Sequence, residues 1–151
     1  GLNVRIVHQT GRLDYERVKS HYEKLGLERI EAREFIDDMA SEYETADLVI
    51  CRAGATTIAE LTVVGRPSIL VPFPFAVDDH QTANALELEN LGAALHLPQT
   101  ELSPQKLLEL LQDFLADSEK LKTMAQASFD AGRPNAVSDI FDALKEELQH
   151  V

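Results

Sequence analysis

Apolar residues fall into short, often β-branched runs, each followed by a polar or glycine-bearing turn and then by a stretch in which apolar positions recur every three or four residues. Residues 4–8 predict a strand, with a turn at Gln9-Thr10-Gly11. Asp14 stands as the cap of a helix carrying Tyr15, Val18, Tyr22 and Leu25 at helical spacing, and Gly26 stands where a terminating glycine belongs. Residues 29–34 predict a weaker strand, after which Asp37 or Asp38 caps a short helix to about Glu44. Residues 48–51, Leu-Val-Ile-Cys, are the clearest strand, a continuous apolar run of the kind buried on both faces of a parallel sheet. The helix that follows ends at Gly65, and Pro67 bars its continuation. Residues 68–71 predict the next strand, and Asp78 or Asp79 caps a helix to Leu91. Gly92 and a strand over residues 93–97 follow. Ser103-Pro104 opens the first of two or three C-terminal helices, the last restarting near Asn135 with Val137, Ile140, Phe141, Leu144 and Leu148 on one face.

Strands alternating with helices imply right-handed crossovers and an open parallel sheet with helices on both faces, an α/β class with a helical C-terminus. Ligands in such sheets bind beyond the carboxyl ends of the strands, which selects the loops at residues 8–12, 35–39, 52–57 and 72–81. Composition agrees with one globular domain: 151 residues, 44% hydrophobic and 26% charged. No apolar run approaches the roughly 20 residues of a membrane span, so no transmembrane segment is expected. A single cysteine rules out an internal disulfide and fits a reducing compartment, and the first residues lack a secretory pattern. A net charge of −12 argues against nucleic acid as a partner. Residues 51–100 hold five acidic and two basic side chains, fewer charges than the ten and five of residues 101–149. Bulk charge therefore cannot hold an anion.

Three segments carry candidate chemistry. In Arg52-Ala53-Gly54-Ala55-Thr56-Thr57 a strand becomes a helix through small residues, so backbone can approach a ligand and the helix-start amides and dipole favour a phosphate. Thr56 and Thr57 add hydroxyls, and Glu60, about one turn on, could accept hydrogen bonds from a ribose diol. The plainer account is a tight turn at Gly54, threonine caps and a dipole-matched surface charge. Asp78-Asp79-His80-Gln81-Thr82-Ala83-Asn84 gathers polar side chains at a helix entrance, with the mixed donors and acceptors that sugar hydroxyls need. A solvated helix start and a divalent-cation site are the alternatives, the second disfavoured because the adjacent aspartates serve as caps. Phe35-Ile36-Asp37-Asp38-Met39 could sandwich a flat base while backbone reads its edge, or be core with a capping aspartate. His8 reads as a structural histidine and Cys51 as buried and inert. No nucleophile constellation, P-loop or zinc spacing is present.

Taken together, residues 34–39, 51–60, 71–73 and 78–85, in this order and spacing, resemble the bacterial peptidoglycan N-acetylglucosaminyltransferase (MurG) family over nearly the whole chain. The resemblance implies the C-terminal, donor-binding half of a Rossmann-like GT-B fold, residues 1–151 forming one domain. The family's acceptor domain, the first strand of the donor domain and its glycine-rich phosphate loop would lie upstream. It further implies UDP-N-acetylglucosamine as ligand, no cofactor and no metal, and a lipid-linked acceptor engaged only through the missing N-terminal domain. Ile36 would meet the uracil edge through its backbone, with Phe35 and Met39 beside it. Glu60 would hold the ribose hydroxyls, while Thr57 and the adjoining amides of Gly54, Ala55 and Thr56 meet phosphate. Ala55, His80 and Gln81 would face the N-acetylglucosamine. The full-length enzyme would invert configuration while converting lipid I to lipid II at the cytoplasmic face of the inner membrane, and this fragment alone would be inactive. A standalone donor-binding subunit of a two-chain transferase and a UDP-sugar 2-epimerase fragment are the rival readings.

Overall fold

A computed structural model of the chain describes residues 3–149, which fall into two compact units divided between Glu42 and Tyr43. In the first, β1 (Ile6–Gln9), α1 (Tyr15–Lys24) and β2 (Ile30–Arg33) make a β-α-β unit whose strands pair in parallel, Ile6 opposite Ile30 and Gln9 opposite Arg33. Asp14 occupies the cap position of α1, yet its carboxylate accepts from the Arg17 guanidinium at 2.7 Å and from no backbone amide. Gly26 turns the chain out of α1 with φ +63°, a left-handed conformation that glycine takes without steric cost. The short helix α2 (Met39–Thr45) begins as the sequence predicts: Asp38 accepts from both the hydroxyl and the amide of Ser41, and these bonds hold its carboxyl below the usual carboxylate range.

In the second unit, β3 (Val49–Cys51), β4 (Ser68–Leu70) and β5 (Ala94–His96) form a parallel sheet in that order. Cys51 stands opposite Leu70, and Leu70 opposite His96, so the three strands finish level with one another. Helix α3 (Ala55–Val64) joins β3 to β4, and α4 (His80–Asn90) joins β4 to β5. Helices α5 (Pro104–Ala116), α6 (Ser118–Ala131) and α7 (Ala136–Gln149) complete the chain. Every paired strand is parallel and the sheets are flanked by helices, the α/β class read from the sequence. Only the central strand β4 is buried along its whole length; Ile50 in β3 is 44% exposed. The expectation that residues 48–51 are buried on both faces therefore fails: β3 is the edge of its sheet.

The core joins Ile69 and Val71 to Leu97, with Leu110 and Phe114 of α5 and Met124 of α6. Ser103 caps α5 through its side chain, accepting from the Lys106 amide with Pro104 at the first helical position, and Asp117 caps α6 by accepting from Glu119 and Lys120. Helix α7 carries the predicted apolar stripe, but Val137, Ile140, Phe141, Leu144 and Leu148 are all exposed.

Helices α3 and α6 pack closely against each other. Helix α3 ends at Gly65, which has φ +64°, and a Cβ there would stand 2.9 Å from Phe129 Cβ and 3.3 Å from the Ala125 carbonyl oxygen. A Cβ on Gly132 would stand 2.6 Å from the Thr62 carbonyl oxygen, and the buried Ser128 hydroxyl donates to the Leu61 carbonyl at 3.4 Å. Gly65→Ala therefore meets both left-handed strain and a clash with Phe129 Cβ, and is expected to cost about 1–3 kcal/mol of stability. Equilibrium denaturation of the variant against the native chain measures the loss.

Candidate functional site

The level strand ends of the second unit gather two polar segments. The first runs out of β3 through Arg52 and Ala53 to Gly54, whose φ of −70° and ψ of 144° precede the first turn of α3, with no side chain capping that turn. The amides of Ala55, Thr56 and Thr57 belong to the first turn, which has no intrahelical carbonyl to meet, and the positive end of the helix dipole lies here. The Ile58 amide is the first to bond within the helix, to the Gly54 carbonyl at 3.0 Å. Ala55 and Thr56 are exposed, Gly54 and Thr57 half-buried. Glu60 is exposed and its Oε2 accepts from the Tyr43 hydroxyl at 3.3 Å.

Gly54 differs in kind from Gly65. Its backbone angles are open to any residue, and a Cβ would meet only Thr57 Oγ1 at 4.0 Å. Neither conformation nor packing within the protein requires glycine there.

The second segment follows β4. A single 3-10 turn, Val77–Asp79, contains Asp78 and Asp79, both with φ 52°, a left-handed conformation that aspartate tolerates better than most residues. Asp79 holds the cap position of α4, but its Oδ1 accepts from the Thr82 hydroxyl at 2.6 Å rather than from a backbone amide. His80 is exposed and Gln81 half-buried.

Three side chains lace these segments together. Arg52 Nη1 donates to the carbonyls of Val71 at 3.2 Å and Pro72 at 3.0 Å, and its guanidinium lies over the Phe73 ring, 5.5 Å from the centroid. The Phe73 amide donates to Gln81 Oε1 at 2.9 Å, and Asn84 Nδ2 donates to the Ala53 carbonyl at 3.1 Å. Because a backbone N–H can only donate, the Gln81 oxygen must face Phe73, which leaves its NH2 group to be presented elsewhere as a donor. By the same logic Asn84 has its Oδ1 left as an acceptor. In sequence, Arg52 and Asn84 stand within the candidate segments without a role of their own, and Tyr43 is not singled out. Arg52 could have been noticed as one of only two basic residues between positions 51 and 100, whereas Tyr43 gave no signal beyond a core aromatic.

In the first unit, Phe35 is 61% exposed, so the account of it as core fails, while Ile36 and Met39 are half-buried. Gln9, read from sequence only as part of a turn, accepts from the Ile36 amide through Oε1 at 2.8 Å. His8 Nδ1 bonds the Tyr22 hydroxyl at 2.8 Å, the structural role expected of it. Cys51 is half-buried, and burial pushes its thiol up to about 12. Among the described residues no group of three His, Cys, Asp or Glu side chains is placed to hold a metal ion, and no helix is long and apolar enough to cross a membrane. Open grooves along Arg17, Ser20, His21 and Lys24 of α1 and along residues 26–30 are each lined by one stretch of chain, so chemistry rather than concavity singles out the strand-end loops.

The model of the glycosyltransferase family 28 C-terminal domain matches residues 1–140. The chain belongs to that family. It is 45% identical, over 96% of its length, to the UDP-N-acetylglucosamine–N-acetylmuramyl-(pentapeptide) pyrophosphoryl-undecaprenol N-acetylglucosamine transferase of Nitratidesulfovibrio vulgaris strain Miyazaki F, and covers 40% of that relative. To the transferase of the same name from Myxococcus xanthus it is 47% identical over 93% of its length, covering 36% of that protein. The crystal structure of Acinetobacter baumannii MurG superimposes with a TM-score of 0.86 at 38% identity, over 94% of this chain and 43% of that one. The glycosyltransferase VinC, solved with dTDP, shares the fold alone, with a TM-score of 0.71 at 17% identity over 96% of this chain and 35% of that one. The chain thus spans about 40% of the length of the curated relatives it matches.

Two outcomes follow for the bare protein. Gly54→Ala should leave unfolding stability within about 0.5 kcal/mol of native, as an unhindered surface substitution does, in contrast to Gly65→Ala; thermal melts of the two variants side by side check this. With its thiol at about 12, Cys51 should be thiolate in about one molecule in ten thousand at pH 8. Iodoacetamide should then alkylate the folded chain far more slowly than the urea-unfolded one.

Proposed function

We propose that this chain is the donor-binding part of an N-acetylglucosaminyltransferase that passes N-acetylglucosamine from UDP to a lipid-linked N-acetylmuramyl-pentapeptide acceptor. The observation that carries the reading is the uncapped first turn of α3, in a chain of this family, with an unneeded glycine at its entrance and Glu60 one turn in. A glycine required neither by its backbone angles nor by its neighbours leaves open the space beside those amides, which a bulky anion would use.

The roles divide by chemistry. The amides of Ala55, Thr56 and Thr57, with the Thr57 hydroxyl, take the diphosphate, and Gly54 leaves room for it. As the sugar–phosphate bond breaks, negative charge grows on the departing UDP, and fixed amides at a helix start stabilise that charge without reorganising. Glu60 accepts from the ribose hydroxyls. Ala55, His80 and Gln81 face the sugar, and the Gln81 NH2, left over from the Phe73 contact, supplies a donor to a hydroxyl or acetamido oxygen. The uracil is assigned to the Ile36 backbone with Phe35 and Met39 beside it; a base that takes the Ile36 amide must displace the Gln9 carbonyl now bonded to it. The lipid-linked acceptor and its attacking hydroxyl belong to the remainder of the longer protein, which on this reading works at a membrane face without a span in this chain. No metal is assigned a part.

NMR titration of the labelled chain with UDP-N-acetylglucosamine tests the reading. The amides of residues 54–60 and 79–84 should shift, and those of residues 35–39 report separately on the base. Unmoved resonances at millimolar ligand would end the assignment. Glu60→Gln should weaken UDP binding about tenfold, the worth of a charge-assisted hydrogen bond, and Gly54→Ala should weaken it comparably through crowding. Both variants should melt near the native temperature, which separates a lost contact from a lost fold.

A further inference from the structure

We infer that Tyr43 is a positioning residue for the Glu60 carboxylate, fixing the plane in which its oxygens meet a nucleotide ribose. The inference rests on the reading of Glu60 as the ribose-binding group.

Tyr43 lies in the last turn of α2, 17 residues before Glu60 in α3, and its hydroxyl donates to Glu60 Oε2 at 3.3 Å. The two ends of this bond differ sharply in surroundings: Tyr43 is only 9% exposed, whereas Glu60 lies on the solvent side. A phenol with its ring packed in the core has few rotamers to lose, while a glutamate on an exposed helix face has many. The bond therefore passes the order of the core to a side chain that would otherwise rotate freely.

The backbone around Tyr43 is held in turn. The Ala46 amide donates to the Tyr43 carbonyl at 3.3 Å, and the Ala46 carbonyl accepts from Arg66 Nη1 at 3.1 Å. Arg66 follows the terminating Gly65, and its own amide donates to the Leu61 carbonyl at 2.9 Å. The end of α2 is thus tied to the C-terminal end of α3 by Arg66, while Tyr43 reaches Glu60 farther up the same helix. Burial first, and the charge of Glu60 next, push the Tyr43 hydroxyl up to about 12, so near neutral pH it is always the donor of this pair.

A vicinal diol gives its two protons to a carboxylate only when the carboxylate plane faces it. With Oε2 held by the phenol, Oε1 and the second lone pair of Oε2 keep one orientation. Without the phenol, each binding event has to order the side chain again. The loss should fall on hydroxyl recognition and not on affinity in general.

Binding of UDP and 2′-deoxy-UDP to the native chain, to Tyr43→Phe and to Glu60→Gln measures this. The native chain should prefer UDP by about tenfold. Tyr43→Phe keeps the ring and should reduce that preference to below about twofold, as Glu60→Gln does, with a near-native melting temperature. A Phe variant that keeps the full preference overturns the inference and leaves the Glu60 reading standing. A native chain that does not distinguish the two nucleotides removes the Glu60 reading itself. In case Tyr43→Phe does not fold, 3-fluorotyrosine labelling of the unmutated chain gives an independent measurement. The fluorine resonance of Tyr43 should move on adding UDP and stay near its free position with 2′-deoxy-UDP; equal movement with both, or with neither, overturns the inference.

Discussion

Helix α3 is clamped at one end and open at the other, and the rest of the second unit is arranged around that asymmetry. At its C-terminal end Gly65 and Gly132 let α3 and α6 approach so closely that a single Cβ would strike Phe129 Cβ at the first or the Thr62 backbone at the second. The Ser128 hydroxyl meets the Leu61 carbonyl inside the same contact. At the N-terminal end the helix has neither a capping side chain nor a residue bulkier than glycine at the entry. Unsatisfied helix-start amides cost free energy unless water or a ligand meets them, and a helix free to fray would lose them. The contact with α6 keeps the helix whole while its first turn stays available.

Charge follows the same division. A chain of net charge −12 repels anions at long range, and Arg52, the basic residue nearest the turn in sequence, is oriented by groups of the protein. Arg52 is committed to the Val71 and Pro72 carbonyls and to the face of Phe73. Its work is structural: it holds the end of β4 against the end of β3, and the next amide, that of Phe73, then orients Gln81. On the proposed function, a phosphate would meet short-range groups, the peptide dipoles of α3 and the donors of its first turn. Such a site would select by geometry rather than by net charge.

How far the sequence disclosed this depended on whether an interaction was local. Gly26, Gly65, Ser103-Pro104 and Asp38 announce turns and caps through residues one to four positions apart, and the elements they bound appear where periodicity puts them. The strand over residues 48–51 was legible as a strand, but its exposure was not: an apolar run does not reveal whether its sheet continues on one side or both, and Ile50 stands open because β3 is an edge. Aspartate caps were half legible. Asp14 and Asp79 hold the cap positions, yet a neighbouring guanidinium and a hydroxyl outcompete the backbone amides for their oxygens.

The candidate site was legible as residue types at strand ends, where small residues, hydroxyls and amides cluster after apolar runs, although each cluster alone reads equally well as a tight turn or a capped helix start. What escaped was the support for those residues, because support is long-range. Arg52 reaches across 19 and 20 residues, Asn84 across 31 and Tyr43 across 17, and no periodicity links the partners. Gly54 shows the same limit from the other side. In sequence, a glycine between strand and helix reads most simply as a turn. Only its ordinary angles and the open space beside it separate a glycine the fold requires, such as Gly65, from one it merely permits. A permitted glycine gives the unfolded chain extra freedom that folding must remove, with no gain in the folded one, and the proposed function accounts for it by the room it leaves beside the first turn of α3.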